Sequence, residues 1–224
     1  MIRYLKKTVV FLFLKYTFWY ICISKLNVML TKAERTKQFI LETAAPIFNQ
    51  KGISGANIDD VLEAAKLTKG CLYGHFESKE DLSLQVVNYM LECNGSKLTT
   101  AISKGKTAKG KVFAFFDFYK DPLDTHIKGG CPVMNIAVES DDNYPAIKEK
   151  IAATLRSGQE LFVSILNKGI EDGEFSNRLD SEIYAFKAFA AIEGAVIICR
   201  SMNTAKPMRG LIKNLKEELE SFAI

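Results

Sequence analysis

Apolar residues recur at helical spacing along most of this chain. Ile40, Ala44, Ile47 and Phe48 mark one face of a helix that Thr31 and Glu34 open as a T-x-x-E capping box and Gly52 closes. Ile58, Val61, Leu62 and Ala65 then fall at i, i+3, i+4 and i+7, predicting a short second helix behind Asn57 as N-cap, with Asp60 three residues on. Lys66 and Leu67 make a turn. Thr68 caps a third helix that buries Leu72 and Phe76 and leaves Lys69, Gly70, Cys71, Tyr73, Gly74 and His75 mostly outward. Ser78 caps a fourth helix that runs past Met90 toward Ser103, with Lys79 in its first turn, where a lysine opposes the helix dipole.

The same period continues after the Gly/Lys-rich turn SKGKTAKGK. On a helix, Phe115, Phe116 and Tyr119 cover a broad apolar face, either ordinary core or, with Met134, the lining of an apolar ligand cavity. Gly129-Gly130 is a break, and Pro132 suits the first turn of the next helix. Cys131 stands near that helix N-terminus, a place that lowers a thiol's pKa and would suit a redox or electrophile sensor, though the favoured reading of a lone cysteine is a small buried hydrophobe. Pro145 to Gly173 reads as a long helix, Ser181 to Met202 as an unusually apolar one, and Pro207 to Phe222 as the last. With few β-branched alternations and only five prolines, the fold class is all-α.

Two short helices joined by a turn of three or four residues have the geometry of a helix-turn-helix, and equally that of a plain helical hairpin. Net charge does not decide between them. The formal charge is +4, yet residues 1–28 contain five basic residues and no acid, leaving 25 basic against 26 acidic residues in the remainder. DNA binding therefore has to come from local placement of a few cations. Five widely spaced cysteines without a CxxC pair, and two histidines far apart, point to a reducing cytoplasm without disulfides, metal or cofactor. No catalytic triad, metal spacing or phosphate-binding glycine loop is present, so an enzyme is not the expected class.

Residues 1–28 read differently from the rest. The apolar run from Thr8 to Ser24 is interrupted by Lys15, and the whole segment lacks Gly, Ala, Pro, Asp and Glu. The favoured expectation is a start-site artefact, with the native chain beginning near Met29. Membrane anchoring through residues 8–24 is the minor alternative.

The stretch LTKGCLYGHFESKEDL resembles the recognition helix and following helix start of the tetracycline-repressor (TetR) family of bacterial transcription regulators. Its frame is Thr68-Lys69-Gly70, Leu72-Tyr73, Phe76, Ser78-Lys79-Glu80 and Leu82, and AAPIFNQKGISGANIDDVLEAA is similar to the family's first two helices. The resemblance implies an N-terminal three-helix helix-turn-helix DNA-binding domain over residues 29–84. It implies a C-terminal helical ligand-binding and dimerisation domain over residues 85–224. It further implies a homodimer on a palindromic double-stranded operator, with repression relieved by a small-molecule effector.

The implied DNA contacts are Asn57, Thr68, Lys69, Gly70, Cys71, Tyr73, Gly74, His75 and Lys79. Lys69 takes a guanine edge or a phosphate, Tyr73 and Lys79 take phosphates, and Cys71 and His75 meet base edges or thymine methyls. The implied dimer interface uses the last two helices, through Phe189, Gly194, Ile197, Leu211, Leu215 and Leu219. One departure from the family pattern is Lys66, which stands where relatives usually carry glycine. The alternative function is an all-helical protein-interaction module without specific DNA binding.

Overall fold

The computed structural model describes residues 30–224; both expectations for residues 1–28 lie outside the described residues. Nine helices follow one another among the described residues: α1 (Lys32–Gly55), α2 (Ile58–Ala65), α3 (Lys69–Tyr73), α4 (Lys79–Ser103), α5 (Ala108–Phe118), α6 (Pro132–Asn143), α7 (Pro145–Glu171), α8 (Ser181–Ser201) and α9 (Lys206–Glu220). The all-α expectation holds. None of the described helices is long and apolar enough to cross a membrane.

Ile40 ends one compact unit, and Leu41–Ile224 forms a second. In the first, the capping box is formed: Thr31 N–H donates to Glu34 Oε2 at 2.8 Å, and Glu34 N–H donates to Thr31 Oγ1 at 3.2 Å. The Thr31 backbone N–H, then its hydroxyl, holds the Glu34 carboxyl below its ordinary pKa.

In the second unit, Ala44, Phe48, Ile53, Val61, Leu72, Phe76 and Leu82 are all buried. Farther along, α4 packs on α5, α5 on α7, α7 on both α6 and α8, and α8 on α9. The Phe115 and Phe162 rings lie 4.7 Å apart between centroids, and Phe116 and Phe162 lie 6.2 Å apart. Glu174 caps α5 from a distance, accepting the N–H groups of Ala108 and Lys109 at 2.7 and 3.1 Å. That satisfies two donors no residue of α5 can reach.

One feature of α1 sets up the site. The helix is kinked at Gly52, which has φ 77° and ψ 174°. Only glycine occupies that region without strain. The next two N–H groups, of Ile53 and Ser54, donate to the two carboxylate oxygens of Glu139 on α6, at 2.6 and 2.7 Å. A Cβ on Gly52 would sit 2.6 Å from Glu139 Oε2, so the bare glycine also makes room for this clasp. Tyr144 adds a bond of 2.9 Å between its hydroxyl and that of Ser54.

One turn earlier, the buried Asn49 amide donates to the carbonyls of Ile127, Lys128 and Gly130 at 3.1–3.3 Å. Asn135 on α6 donates back to the Asn49 carbonyl and side-chain oxygen, each at 3.0 Å. The end of α1 is thus fastened to α6 and to the loop before it.

Candidate nucleic-acid interface

The helix-turn-helix is built from local signals. Asn57 N–H donates to Asp60 Oδ2 at 3.1 Å, and Asp60 also pairs with Lys51 at 2.7 Å. The Lys51 bond, then that from Asn57, lowers the Asp60 pKa. The turn is closed by Lys66 in the left-handed conformation, φ 55° and ψ 43°. Its N–H bonds Glu63 O at 3.3 Å and the Leu67 N–H bonds Leu62 O at 3.1 Å, so the carbonyls at the end of α2 are satisfied. A left-handed non-glycine residue carries strain of about 1–2 kcal/mol. Replacing Lys66 by Gly will therefore raise stability by about 0.5–1 kcal/mol in urea unfolding, part of the gain being offset by the freer unfolded chain.

Thr68 caps α3, its hydroxyl accepting the Cys71 N–H at 3.3 Å. The helix proper ends at Tyr73, earlier than the sequence suggests. Phe76 nonetheless keeps its place, because its N–H bonds Leu72 O at 3.1 Å, and it is 1% exposed. With Leu72 and Phe76 buried, Thr68, Lys69, Gly70, Tyr73 and Gly74 are exposed, and Cys71 and His75 are half-buried. Asn57 is exposed at the start of α2. A Cβ on Gly70 would meet nothing within 4 Å, so no contact within the chain requires this glycine. Its smallness leaves the outer face of α3 low.

Lys79 is half-buried, and its ammonium donates to the Ser54 carbonyl at 3.4 Å. It thus joins the first turn of α4 to the end of α1. Ser78 caps α4 by accepting the Asp81 N–H at 3.2 Å.

The residues expected to line a ligand pocket divide into two groups. Phe115 and Phe116 are 4% and 0% exposed and meet edge to face in the core, and neither lines the two clefts beside Cys131. The ordinary-core reading of these two is the one the packing supports. Met134 lines a cavity of about 140 Å³ with Cys131 and Arg200, and Tyr119 lines a smaller space of about 30 Å³ with Asn94 and Cys131.

Cys131 is buried, in line with the small-hydrophobe reading rather than the sensor. Burial, then the adjacent Glu193, pushes its thiol pKa well up. The thiol donates to Glu193 Oε1 at 3.2 Å. Desolvation outweighs the helix dipole here. Glu193 itself is 4% exposed, and burial raises its pKa to about 7 against the hydrogen bonds from Cys131 and Tyr119. Its signal in the sequence is a lone acid in the apolar run AFAAIEGAVIIC.

Among the expected dimer residues, Leu215 and Leu219 are 4% and 0% exposed, covered by their own chain. The periodicity of α9 showed an apolar face but not what it packs on. Leu211 is half-buried, as is Phe189, whose ring lies 6.5 Å from that of Phe115. Gly194 is half-buried with open space where a Cβ would stand, and Ile197 is exposed. Ile183 and Phe186, not foreseen, are 66% and 68% exposed on α8.

Comparison with known proteins agrees with this geometry. Residues 40–86 match the family described as bacterial regulatory proteins, tetR family, and residues 108–215 match the tetracyclin repressor-like C-terminal domain. A TetR-family regulator structure from Cytophaga hutchinsonii is 32% identical, with 87% of this chain and 98% of that one covered and a TM-score of 0.80. One from Chloroflexus aurantiacus J-10-FL is 31% identical over the same shares, with a TM-score of 0.82. The HTH-type transcriptional repressor DhaR of Mycobacterium sp. (strain GP1) is 22% identical over 77% of this chain and 86% of its own length.

Proposed function

The chain belongs to the TetR family of DNA-binding transcriptional regulators, and from that premise we propose that it is a cytoplasmic homodimeric repressor released from a palindromic operator by a small molecule. The observation that carries the reading is the two-sidedness of α3. Leu72 and Phe76 are buried on one side, and Lys69, Gly70, Tyr73 and Gly74 are exposed on the other. A helix held in this way presents a low, uncluttered face to a major groove. Lys69, Cys71 and His75 then meet base edges, while Tyr73 and Lys79 meet phosphates. Thr68 and Asn57 flank the same face. The relative DhaR is by its name a repressor, which favours that sign of regulation.

A dimer brings two such faces to half-sites about 34–36 Å apart, or a multiple of this. The surface suited to pairing is the apolar stripe of α8, where Ile183, Phe186, Ala190, Gly194 and Ile197 recur at helical spacing. Leu215 and Leu219, being covered within the chain, are left out of it.

The test is binding of the protein to DNA from the region upstream of its own gene, beside unrelated DNA, across a salt series. A preference of about a thousandfold marks a specific regulator. Weak binding, equal on both DNAs and also absent from selection on random sequences, favours the interaction module. Lys79→Ala will weaken binding to every sequence and reduce the salt slope by about 0.9, as the loss of one phosphate contact requires. His75→Ala will change base preference. An unchanged salt slope in the Lys79 variant refutes the phosphate role.

A further inference from the structure

Glu193 is a buried acid in the apolar middle of α8. Its Oε1 accepts the Cys131 thiol at 3.2 Å, and the Tyr119 hydroxyl is near enough to the same carboxylate to lower its pKa. Its Oε2 is buried and has no partner in the chain. A buried carboxylate oxygen without a donor is unfavourable, and natural cores contain few of them. Glu193 itself lines neither of the two clefts nearby, but Cys131 and Tyr119, its neighbours, do. Cys131 faces both, and Tyr119 faces the smaller. The larger, about 140 Å³ and partly open to solvent, has room for about one ring.

We propose that these spaces form one small-molecule site, whose ligand is a neutral compound of about one ring bearing a hydroxyl or N–H group, and that Glu193 Oε2 receives that donor as Tyr119 or Cys131 turns aside. Charge limits the ligand from both ends. Above about pH 7, where it is ionised, the Glu193 carboxylate repels an anion. The Arg200 guanidinium, which lines the larger space and donates to Pro122 O at 3.4 Å, repels a cation. Val196 and Met134 supply the apolar wall. The proposal deepens the reading of an effector-released repressor and rests on it for the consequence at the operator, though not for binding itself.

Four probes of one-ring size decide it: phenol, its donor-free methyl ether anisole, benzylamine and benzoate. Each is titrated into the full-length protein without DNA and followed by thermal shift and by NMR. Phenol is expected to bind at least about tenfold more tightly than the other three, the scale of one buried hydrogen bond. Glu193→Gln keeps the shape but places an NH₂ group where Oε2 was, and the preference for phenol over anisole is expected to vanish or reverse. Anisole binding as well as phenol, an unchanged ratio in the variant, or no phenol binding at millimolar concentration overturns the proposal. The wild-type ratio is informative even if the variant folds poorly. Phenol is then added to the protein–operator complex. Failure to release DNA, with the phenol preference intact, refutes the effector-released repressor while leaving the site standing.

Discussion

Glu193→Gln will flatten the pH dependence of stability and make the protein more stable than wild type at pH 8. Burial raises the Glu193 pKa to about 7 in the folded chain, from an ordinary value of 4.5. The folded state therefore holds the proton more tightly than the unfolded state does. Below pH 4.5 both states are protonated, and Glu193 costs nothing by ionisation. As pH rises through that value toward about 7 the unfolded state ionises first, and stability falls; above about 7 the loss levels off near 3 kcal/mol. Glutamine has no proton to lose. Its amide nitrogen inherits the unpartnered position, so the net gain at pH 8 is about 1–2 kcal/mol. Urea unfolding of both proteins at pH 5 and pH 8 measures it, and parallel pH profiles would show that Glu193 stays ionised throughout.

The second large effect belongs to Glu139. Its carboxylate holds the Ile53 and Ser54 N–H groups at 2.6 and 2.7 Å, just beyond the kink at Gly52. Both bonds are charge-assisted, and Ile53 is buried, so water replaces the lost acceptor poorly. Glu139→Ala is expected to lower stability by about 2–3 kcal/mol, because two backbone donors lose their partner together. α2 follows directly from this turn, so the aim of α3 depends on it. Operator affinity should fall by about tenfold. Glu139→Gln, which retains one acceptor oxygen, should fall between the two. Hydrogen exchange at Ile53 and Ser54 reports the cause, since unchanged protection there would mean that other contacts hold the turn.

The partners of both groups are not legible in the sequence, and the reason is separation along the chain. The caps at Thr31, Thr68 and Ser78 join residues three apart, so their spelling is local and legible. The same is true of the left-handed turn at Lys66, marked by a departure from the family's usual glycine. Glu139 meets its donors 85 and 86 residues away, and Glu193 meets Cys131 across 62. No short-range pattern encodes such a pairing. Cys131 shows a local rule overridden: its place at a helix N-terminus lowers a thiol's pKa, but burial beside a carboxylate raises it. For Leu215 and Leu219 the period of α9 identified the apolar face correctly, yet a period cannot say whether its partner is the same chain or another copy.

The Asn49 amide, with its three carbonyls from the loop before α6, bears on the order in which the chain assembles. The capped helices can nucleate from their own residues. That loop cannot, since two of its glycines, Gly129 and Gly130, sit at φ 124° and 110° and its carbonyls find their donor about 80 residues upstream. Ordering it carries a loop-closure cost that the locally capped helices do not have, and this cost is met only when the end of α1 is in place. Gly130 and Cys131 form part of the wall of the larger cleft. The wall of that cleft is thus shaped by a part of the chain whose conformation is dictated from about 80 residues upstream.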